Sequence, residues 1–314
     1  MTESIISSVD SDLHARVPKG IPLLVVLGGM SDAGGVVSQL NEYLWDKCAP
    51  EEIVRFDADL LFDYRARRPI MTFDEDHFVD YEAETLTLSL AHDALGSPFL
   101  LLSGFEPDFR WDQFIDAVLH LVDEFEVSTT VWSHAIPMPV PHTRPIGATV
   151  SGSREDLIEA RSVWRPTTKL PASVTHVLEY RLYELGEDVA GFALLVPHYL
   201  AGTEYPDALL AALDGFMAAT GRIFSTDDAR EASRDFRAQV DRQVSDNEES
   251  LEMLRGLEAR YDSYMEDQTS RSPLIGEDGV IPTADQLASE LERFLAQQRD
   301  PGQAGPGEGQ GPAL

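Results

Sequence analysis

Short apolar runs alternate along this chain with segments whose apolar residues fall at helical spacing, and this alternation constrains the fold most. The first run, residues 21–27 (IPLLVVL), is nearly continuous, as expected of a strand buried on both faces. The clearest helical segment, residues 111–125, places its apolar residues on one stripe. Strands and helices of this length in alternation predict an α/β fold with three layers, in which helices cover a twisted, mixed, largely parallel sheet.

The same patterns predict the other elements of the chain. Strands are expected at residues 53–56, 99–102, 127–132, 149–151 and 191–196. Helices are expected at residues 36–47, 81–95, 174–185 and 206–219. Between these elements, residues 136–145 carry four prolines and are predicted to be a loop or an extended segment.

Changes in composition divide the chain into four predicted parts. Residues 1–20 form a polar lead-in, and residues 21–221 form the α/β core domain. Residues 222–298 are predicted to be a long helical extension, with one helix over 227–267 and a shorter one from Thr283. Residues 299–314, rich in Gly, Pro and Gln, are expected to be disordered.

The charge and the cysteine count narrow the classes of partner and site. The chain carries 55 acidic and 24 basic residues, a formal net charge of −31, which repels phosphate backbones and anionic lipid. We therefore expect neither nucleic acid nor a membrane as a partner. With Cys48 as the single cysteine, an internal disulfide and a cysteine-based zinc site are excluded. A polar, acidic start and the lack of a long apolar run predict a cytoplasmic protein.

A glycine-rich turn follows the first predicted strand and suggests a ligand crevice. The turn includes Gly28, Gly29 and Asp32, and the segment after the strand at 99–102 adds Glu106 and Asp108. Ligands of α/β sheets gather at the carboxyl ends of strands, so these residues are crevice candidates. The turn lacks the G-x-G-x-x-G spacing and the lysine of a P-loop. For the turn the structural interpretation is favoured, with Asp32 as a cap for the following helix, whereas Asp108 suits a crevice and a cap for the helix at 111 equally well.

A second candidate site is a dense mixture of carboxylates, arginines and aromatic residues. Its carboxylates could perform acid/base chemistry, but an ion-pair network at a protein interface is the favoured interpretation. The candidate interface residues are Asp63, Tyr64, Arg65, Arg67 and Arg68, with Arg110 and Trp111 as a second choice. The scattered histidines show no metal-binding spacing, and no G-x-S-x-G motif is present, so we predict no metal, no cofactor and no catalytic residue.

Five motifs in a fixed order resemble the actinobacterial branch of the PAC2 family of proteasome assembly chaperones. They lie at residues 59–69 (DLLFDYRARRP), 104–111 (GFEPDFRW), 137–145 (PMPVPHTRP), 178–186 (LEYRLYELG) and 196–206 (VPHYLAGTEYP). The resemblance implies a fold like that of nucleoside phosphorylases. It also implies self-association and a chaperone role in proteasome assembly.

Two functions remain open at this point. The favoured one is a non-catalytic, chaperone-like protein that binds protein surfaces as a homo-oligomer, with itself and proteasome subunits as partners. The alternative is a phosphorylase- or hydrolase-like enzyme that acts on a small nucleoside-type substrate in the crevice.

Overall fold

The computed structural model describes residues 4–29 and 31–266. The helix predicted from Thr283 and the tail predicted to be disordered lie outside these residues. The strands are β1 (Ile6–Val9), β2 (Leu23–Gly28), β3 (Glu51–Phe56), β4 (Ile70–Asp74), β5 (His77–Glu82), β6 (Leu86–His92), β7 (Pro98–Phe105), β8 (Thr130–Met138), β9 (Ala148–Gly152) and β10 (Val189–Pro197). The α-helices are α1 (Ser11–His14), α2 (Val36–Cys48), α3 (Ala58–Leu61), α4 (Trp111–Glu124), α5 (Glu155–Arg161), α6 (Val174–Leu185), α7 (Pro206–Thr220), α8 (Asp227–Ser245) and α9 (Glu248–Glu266).

Eight strands form one mixed sheet in the order β1-β3-β6-β7-β2-β8-β10-β9. Its centre, β7-β2-β8-β10, is parallel, with Leu24 of β2 paired to Leu101 of β7 and to Val131 of β8. The flanking strands β1, β3, β6 and β9 are antiparallel to their neighbours. The α/β fold class predicted from the alternating pattern is confirmed.

Successive residues of β2 face two different cores, which explains why this strand is apolar throughout. Leu24 and Val26 pack with residues of α2 and α7 on one side of the sheet. Leu23, Val25 and Leu27 pack with residues of α4 and α6 on the other side. A strand whose two faces are both covered has no position for a polar side chain, and the result is three layers.

The helix predicted over residues 81–95 is wrong, because this segment forms the end of β5 and all of β6. Leu86, Leu88 and Leu90 are buried on one face of β6, and Thr87 and Ser89 are buried on the other. The four-residue steps that suggested a helix are also multiples of the two-residue period of a strand. The buried threonine and serine, which are polar, concealed the second apolar face.

The first residues of the described chain belong to the sheet. Within the part expected to be only a polar lead-in, β1 pairs antiparallel with β3, and Val9 lies opposite Val54. Because β1 is an edge strand with exposed residues, its polar composition gave no strand signal.

The predicted long C-terminal helix is two helices, α8 and α9, separated at Asp246 and Asn247. The side-chain oxygen of Asn247 accepts a hydrogen bond from the backbone N–H of Ser250 at 3.0 Å, which caps the start of α9. Both helices pack on the same chain, and α9 is held by Arg144, whose guanidinium pairs with Asp262 at 2.6 Å. Among the described residues no helix combines the length and the apolar character needed to cross a membrane.

Candidate interaction surface and ligand crevice

The structure joins the two arginine-containing motifs through Arg67. Its guanidinium forms an ion pair with the carboxylate of Asp108, which also accepts the backbone N–H of Asp63 at 2.8 Å. The same guanidinium lies over the rings of Phe62 and Phe105, at 5.7 and 5.2 Å from their centroids. Arg67 and Asp108 are therefore largely engaged within the chain, and they hold the two segments together.

The other members of the cluster divide into turn-forming and exposed residues. Asp63 accepts the backbone N–H of Arg65 at 2.8 Å, which forms the turn, and the Tyr64 hydroxyl donates to Asp59. The hydrogen bond to Asp59 raises the pKa of Tyr64 to about 12. Arg65 and Arg68 are exposed, so their side chains are available to a partner.

Arg110 and Trp111, the second-choice interface residues, lie at the start of α4. Arg110 is exposed and has a left-handed backbone, with φ of 58°. The indole of Trp111 donates to the carbonyl of Pro107 at 2.5 Å and packs against the core, so it is only partly exposed. Trp111 thus fills the first turn of its helix.

Next to the arginines, β4 and β5 form an isolated two-stranded sheet that we call the apolar hairpin, residues 70–82. Its exposed large apolar residues are Ile70, Met71, Phe73, Phe78 and Tyr81. Phe73 and Phe78 are 61% and 64% exposed, and their ring centroids lie 5.1 Å apart. Our sequence interpretation missed this hairpin, although the acidic turn at residues 74–77 between aromatic residues was a usable signal. Apolar side chains exposed in such a group are typical of interaction surfaces.

A cavity of about 30 Å³ lies near the strand ends where the sequence predicted a crevice. It lies at the carboxyl ends of β2 and β7, beside the middle of β8, and against the start of α6. Of the crevice candidates, Gly29 and Glu106 line it, together with His134 and His176. The two histidines were not predicted as site residues, because they are 42 positions apart in the chain and share no motif.

Glu106 is held at the N-terminus of α6. Its Oε2 atom accepts the backbone N–H of Val174 at 2.9 Å, which is favourable because that helix end carries partial positive charge. A Cβ placed on Gly29 would lie 2.7 Å from Oε1 of Glu106, so only glycine permits this approach. Gly28 has a similar role, since its Cβ would lie 2.9 Å from the ring of Phe105.

Asp32 and Asp108 do not line the cavity. Asp32 accepts the backbone N–H of Val37 and the hydroxyl of Ser38, both at 2.6 Å, and so caps α2. Asp108 pairs with Arg67, as described above. The helix-capping interpretation of Asp32 is the one that the geometry supports.

Three aromatic rings form one wall of the cavity. Trp132 and His134 stack with centroids 5.0 Å apart, and His176 meets both rings edge-on. Burial, and then the neighbouring His176, lowers the pKa of His134 to about 4. Burial also lowers the pKa of His176. Both imidazoles are therefore neutral at pH 7.

Behind this wall lies a buried carboxyl group. Glu179 accepts the indole N–H of Trp132 at 2.6 Å and the hydroxyl of Ser151 at 2.9 Å. Burial raises the pKa of Glu179, and these two hydrogen bonds oppose the rise. A Cβ on Gly191 would lie 2.4 Å from Oε2 of Glu179, so this glycine makes room for the buried pair.

The lining of the cavity offers carboxylate, imidazole and hydroxyl groups but, among the described residues, no side-chain cation. No lysine or arginine of the described residues lines it, so phosphate would find no cation there. The described residues also contain no group of three or more His, Cys, Asp or Glu side chains arranged to hold a metal ion. The lining thus offers no support for a phosphorylase-like reaction.

The family model of the PAC2 family matches residues 26–244, which include most of the sheet and helices of both layers. The chain belongs to the PAC2 family. Two solved actinobacterial structures are similar over most of their lengths. One is a protein of unknown function from Corynebacterium glutamicum, 33% identical, with a TM-score of 0.75 over 79% of this chain and 92% of that one. The other is Mycobacterium tuberculosis Rv2714, also of unknown function, 35% identical, with a TM-score of 0.73 over 89% and 91%.

A more distant solved structure carries a functional name. The M. tuberculosis proteasome-assembly chaperone homologue Rv2125 is 21% identical, with a TM-score of 0.67 over 74% of this chain and all of that one. At this identity the likeness shows the shared fold alone. A comparison with curated proteins found no match.

Proposed function

We propose that this PAC2-family protein is a non-catalytic, chaperone-like assembly factor that acts as a homo-oligomer and binds other protein surfaces. The family membership supports a protein-binding role, and one relative of the same fold is a proteasome-assembly chaperone homologue. The proposed partners are a second copy of the chain and proteasome subunits, which it would meet in the cytoplasm.

The apolar hairpin is the observation that carries this proposal. Its two phenylalanines touch each other but belong to none of the described core clusters. An isolated two-stranded hairpin is only marginally stable in water, so a partner that covers it would stabilise both its backbone and its apolar face. Covering these side chains would also supply most of the binding free energy.

Charge favours a second copy as one occupant of the hairpin surface. Arg65 and Arg68 are exposed beside the hairpin, on a chain whose formal net charge is −31. Another copy therefore presents mostly acidic surface to these arginines. A basic patch beside an apolar one suits such a partner, because the charges orient the contact and the apolar residues hold it.

The test replaces the two phenylalanines of the hairpin, which lie outside the described core clusters. In the Phe73→Ser, Phe78→Ser double variant, we expect the oligomer to dissociate while the melting temperature of the sheet domain stays unchanged. Mass in solution would be measured by light scattering and sedimentation. The matched control is Tyr180→Ser, Tyr183→Ser, which removes two exposed aromatic side chains from α6.

A monomeric wild-type protein, or a double variant that associates as strongly as the wild type, would contradict self-association through this surface. Proteasome binding has a separate test, in which purified proteasome subunits are mixed with wild type and double variant. We expect a complex with the wild type only, and equal binding by both proteins would rule out the hairpin as the contact.

A further inference from the structure

Two of the polar groups that line the cavity, one hydrogen-bond donor and one acceptor, are held in place by the start of α6. The Nδ1 atom of His176 accepts the backbone N–H of Ser173 at 2.9 Å, which places the ring hydrogen on Nε2. The next backbone N–H, that of Val174, is bound by Oε2 of Glu106. Among the described residues, neither Nε2–H of His176 nor Oε1 of Glu106 has a hydrogen-bond partner. The backbone N–H groups of Ser173 and Val174 thus position the imidazole donor of His176 and the carboxylate acceptor of Glu106, which both line the cavity.

The lining disfavours an anion by its charge and a purely donating cation by its hydrogen-bond pattern. An anion would meet the carboxylate of Glu106 and no basic side chain, and the helix N-terminus that could attract it is already bonded to Glu106. A guanidinium or ammonium group only donates hydrogen bonds, so it would oppose the N–H of His176. The ligand that satisfies both groups is neutral and carries a donor and an acceptor side by side.

Size and shape restrict the ligand further. A cavity of about 30 Å³ holds two or three water molecules, or the edge of a small planar molecule whose remainder lies in the open mouth. The aromatic side chains of Trp132, His134 and His176 line this space. Aromatic linings favour planar rings over branched aliphatic groups.

From this arrangement we propose that the cavity binds the amide edge of a small neutral heterocycle, such as a pyrimidine or purine base. The ring N–H of the ligand donates to Oε1 of Glu106, and the adjacent carbonyl accepts from Nε2–H of His176. Gly29 keeps the carboxylate in place, because any side chain there would displace it. The site is one of binding only, with no chemical step, and it is independent of the apolar hairpin.

Calorimetry with the full-length protein and two probes, uracil and hypoxanthine, tests this assignment. We expect uracil to bind, and 1,3-dimethyluracil, which lacks ring N–H groups, to bind about tenfold more weakly or not at all. Inorganic phosphate and guanidinium chloride are expected to give no heat of binding at this site. Saturation-transfer NMR on the probes would extend the detection to weak affinities.

Two variants assign any binding to the cavity. Glu106→Gln keeps an oxygen for the N–H of Val174 but places a donor in the pocket, and His176→Phe removes the ring N–H. We expect each to weaken uracil binding about tenfold or more, with thermal melting as the check on folding. The controls are Glu187→Gln and His198→Phe, which alter residues that do not line the cavity.

The proposal is overturned if neither probe binds at concentrations up to about 10 mM, or if dimethyluracil binds as well as uracil. Binding that survives both cavity variants would equally reject it, as would binding of guanidinium that the probes cannot displace. Because none of these measurements depends on association of the chain, failure here leaves the protein-binding role intact.

Discussion

Gly104 shows how a single backbone position anchors the loop that carries the functional residues. It lies in β7 with φ of 132°, a conformation that side chains other than glycine rarely adopt. A Cβ at this position would lie 2.2 Å from the carbonyl oxygen of Thr85 on the approaching chain. The loop of Phe105 and Glu106 therefore begins at a residue that must be glycine.

We predict that Gly104→Ala lowers the free energy of unfolding by about 2 kcal/mol or more, through backbone strain and the contact with Thr85. Urea denaturation would measure the loss. Gly202→Ala is the control, because a Cβ there meets no atom within 4 Å. Equal midpoints for the two variants would show that β7 shifts at no cost.

His134 makes the stability of the fold depend on pH. Its pKa is lowered by burial to about 4 in the folded chain, against an ordinary value of 6.5. Between these values the unfolded chain binds more protons, so stability is lost as the pH falls from 6.5 towards 4. The neighbouring imidazole of His176, whose pKa is also lowered, adds to the loss.

We predict that His134→Gln removes up to about 3 kcal/mol of this acid sensitivity, so that its stability falls less than that of the wild type between pH 6.5 and 4. Denaturant titrations at several pH values would give the slope of unfolding free energy against pH for each protein. His120→Gln, on the exposed face of α4, controls for the loss of an imidazole. Parallel slopes for His134→Gln and wild type would refute the assignment.

At the scale of elements, the C-terminal helices show how a polar extension is attached to a domain. The guanidinium of Arg144, in the proline-rich loop, pairs with Asp262 at 2.6 Å and with Glu258 at 3.3 Å. The hydroxyl of Tyr264 adds a hydrogen bond to the carbonyl of Val163 at 2.7 Å. Since few residues of α9 are buried, these contacts decide whether the helix stays docked.

Arg144→Ala should therefore loosen α9 while the sheet remains folded. We expect amide hydrogen exchange in α9 to become about tenfold faster, which corresponds to the loss of about 1.4 kcal/mol of local stability. Arg255→Ala, on the same helix, is the control, since Arg255 forms no ion pair among the described residues. Unchanged exchange in α9 would mean that its apolar contacts suffice.

Elements with one strong period were predictable, and those with mixed signals were not. The prediction of α6 over residues 174–185 matches the structure, and α4 differs by one residue at its end. In contrast, β6 was taken for a helix because its apolar residues at 86 and 90 fit both periods. The apolar hairpin was missed because its aromatic residues face solvent, where no burial pattern identifies them.

At the scale of the whole molecule, the charge distribution bears on self-association. A chain with a formal net charge of −31 repels its copies, unless its basic residues face the partner's acidic surface. Under the proposed self-association, the exposed Arg65 and Arg68, which precede the apolar hairpin in the chain, would provide this contact. The net effect of added salt then depends on whether this local attraction or the overall repulsion between the two copies is larger.

We predict that the local attraction is larger, so that raising the salt concentration weakens self-association of the wild type. In the Arg65→Ala, Arg68→Ala variant, association should be weaker at low salt, and added salt should strengthen it by screening the remaining repulsion. Sedimentation velocity at several salt concentrations would measure the salt dependence of association for the wild type and for the variant. If salt strengthens the association of both proteins equally, the arginines do not face the partner.

By itself the sequence determined the fold class and the family, because both depend on information that is local or ordered along the chain. Apolar periodicity reports which faces of a strand or helix are buried, and motifs at 59–69 and 104–111 carry the family signature. Only the tertiary structure decided which groups meet. It brought Arg67 onto Asp108, placed Glu106 at the start of α6, and set His134 beside His176. Such contacts follow from strand order and helix packing, which local periodicity leaves undetermined.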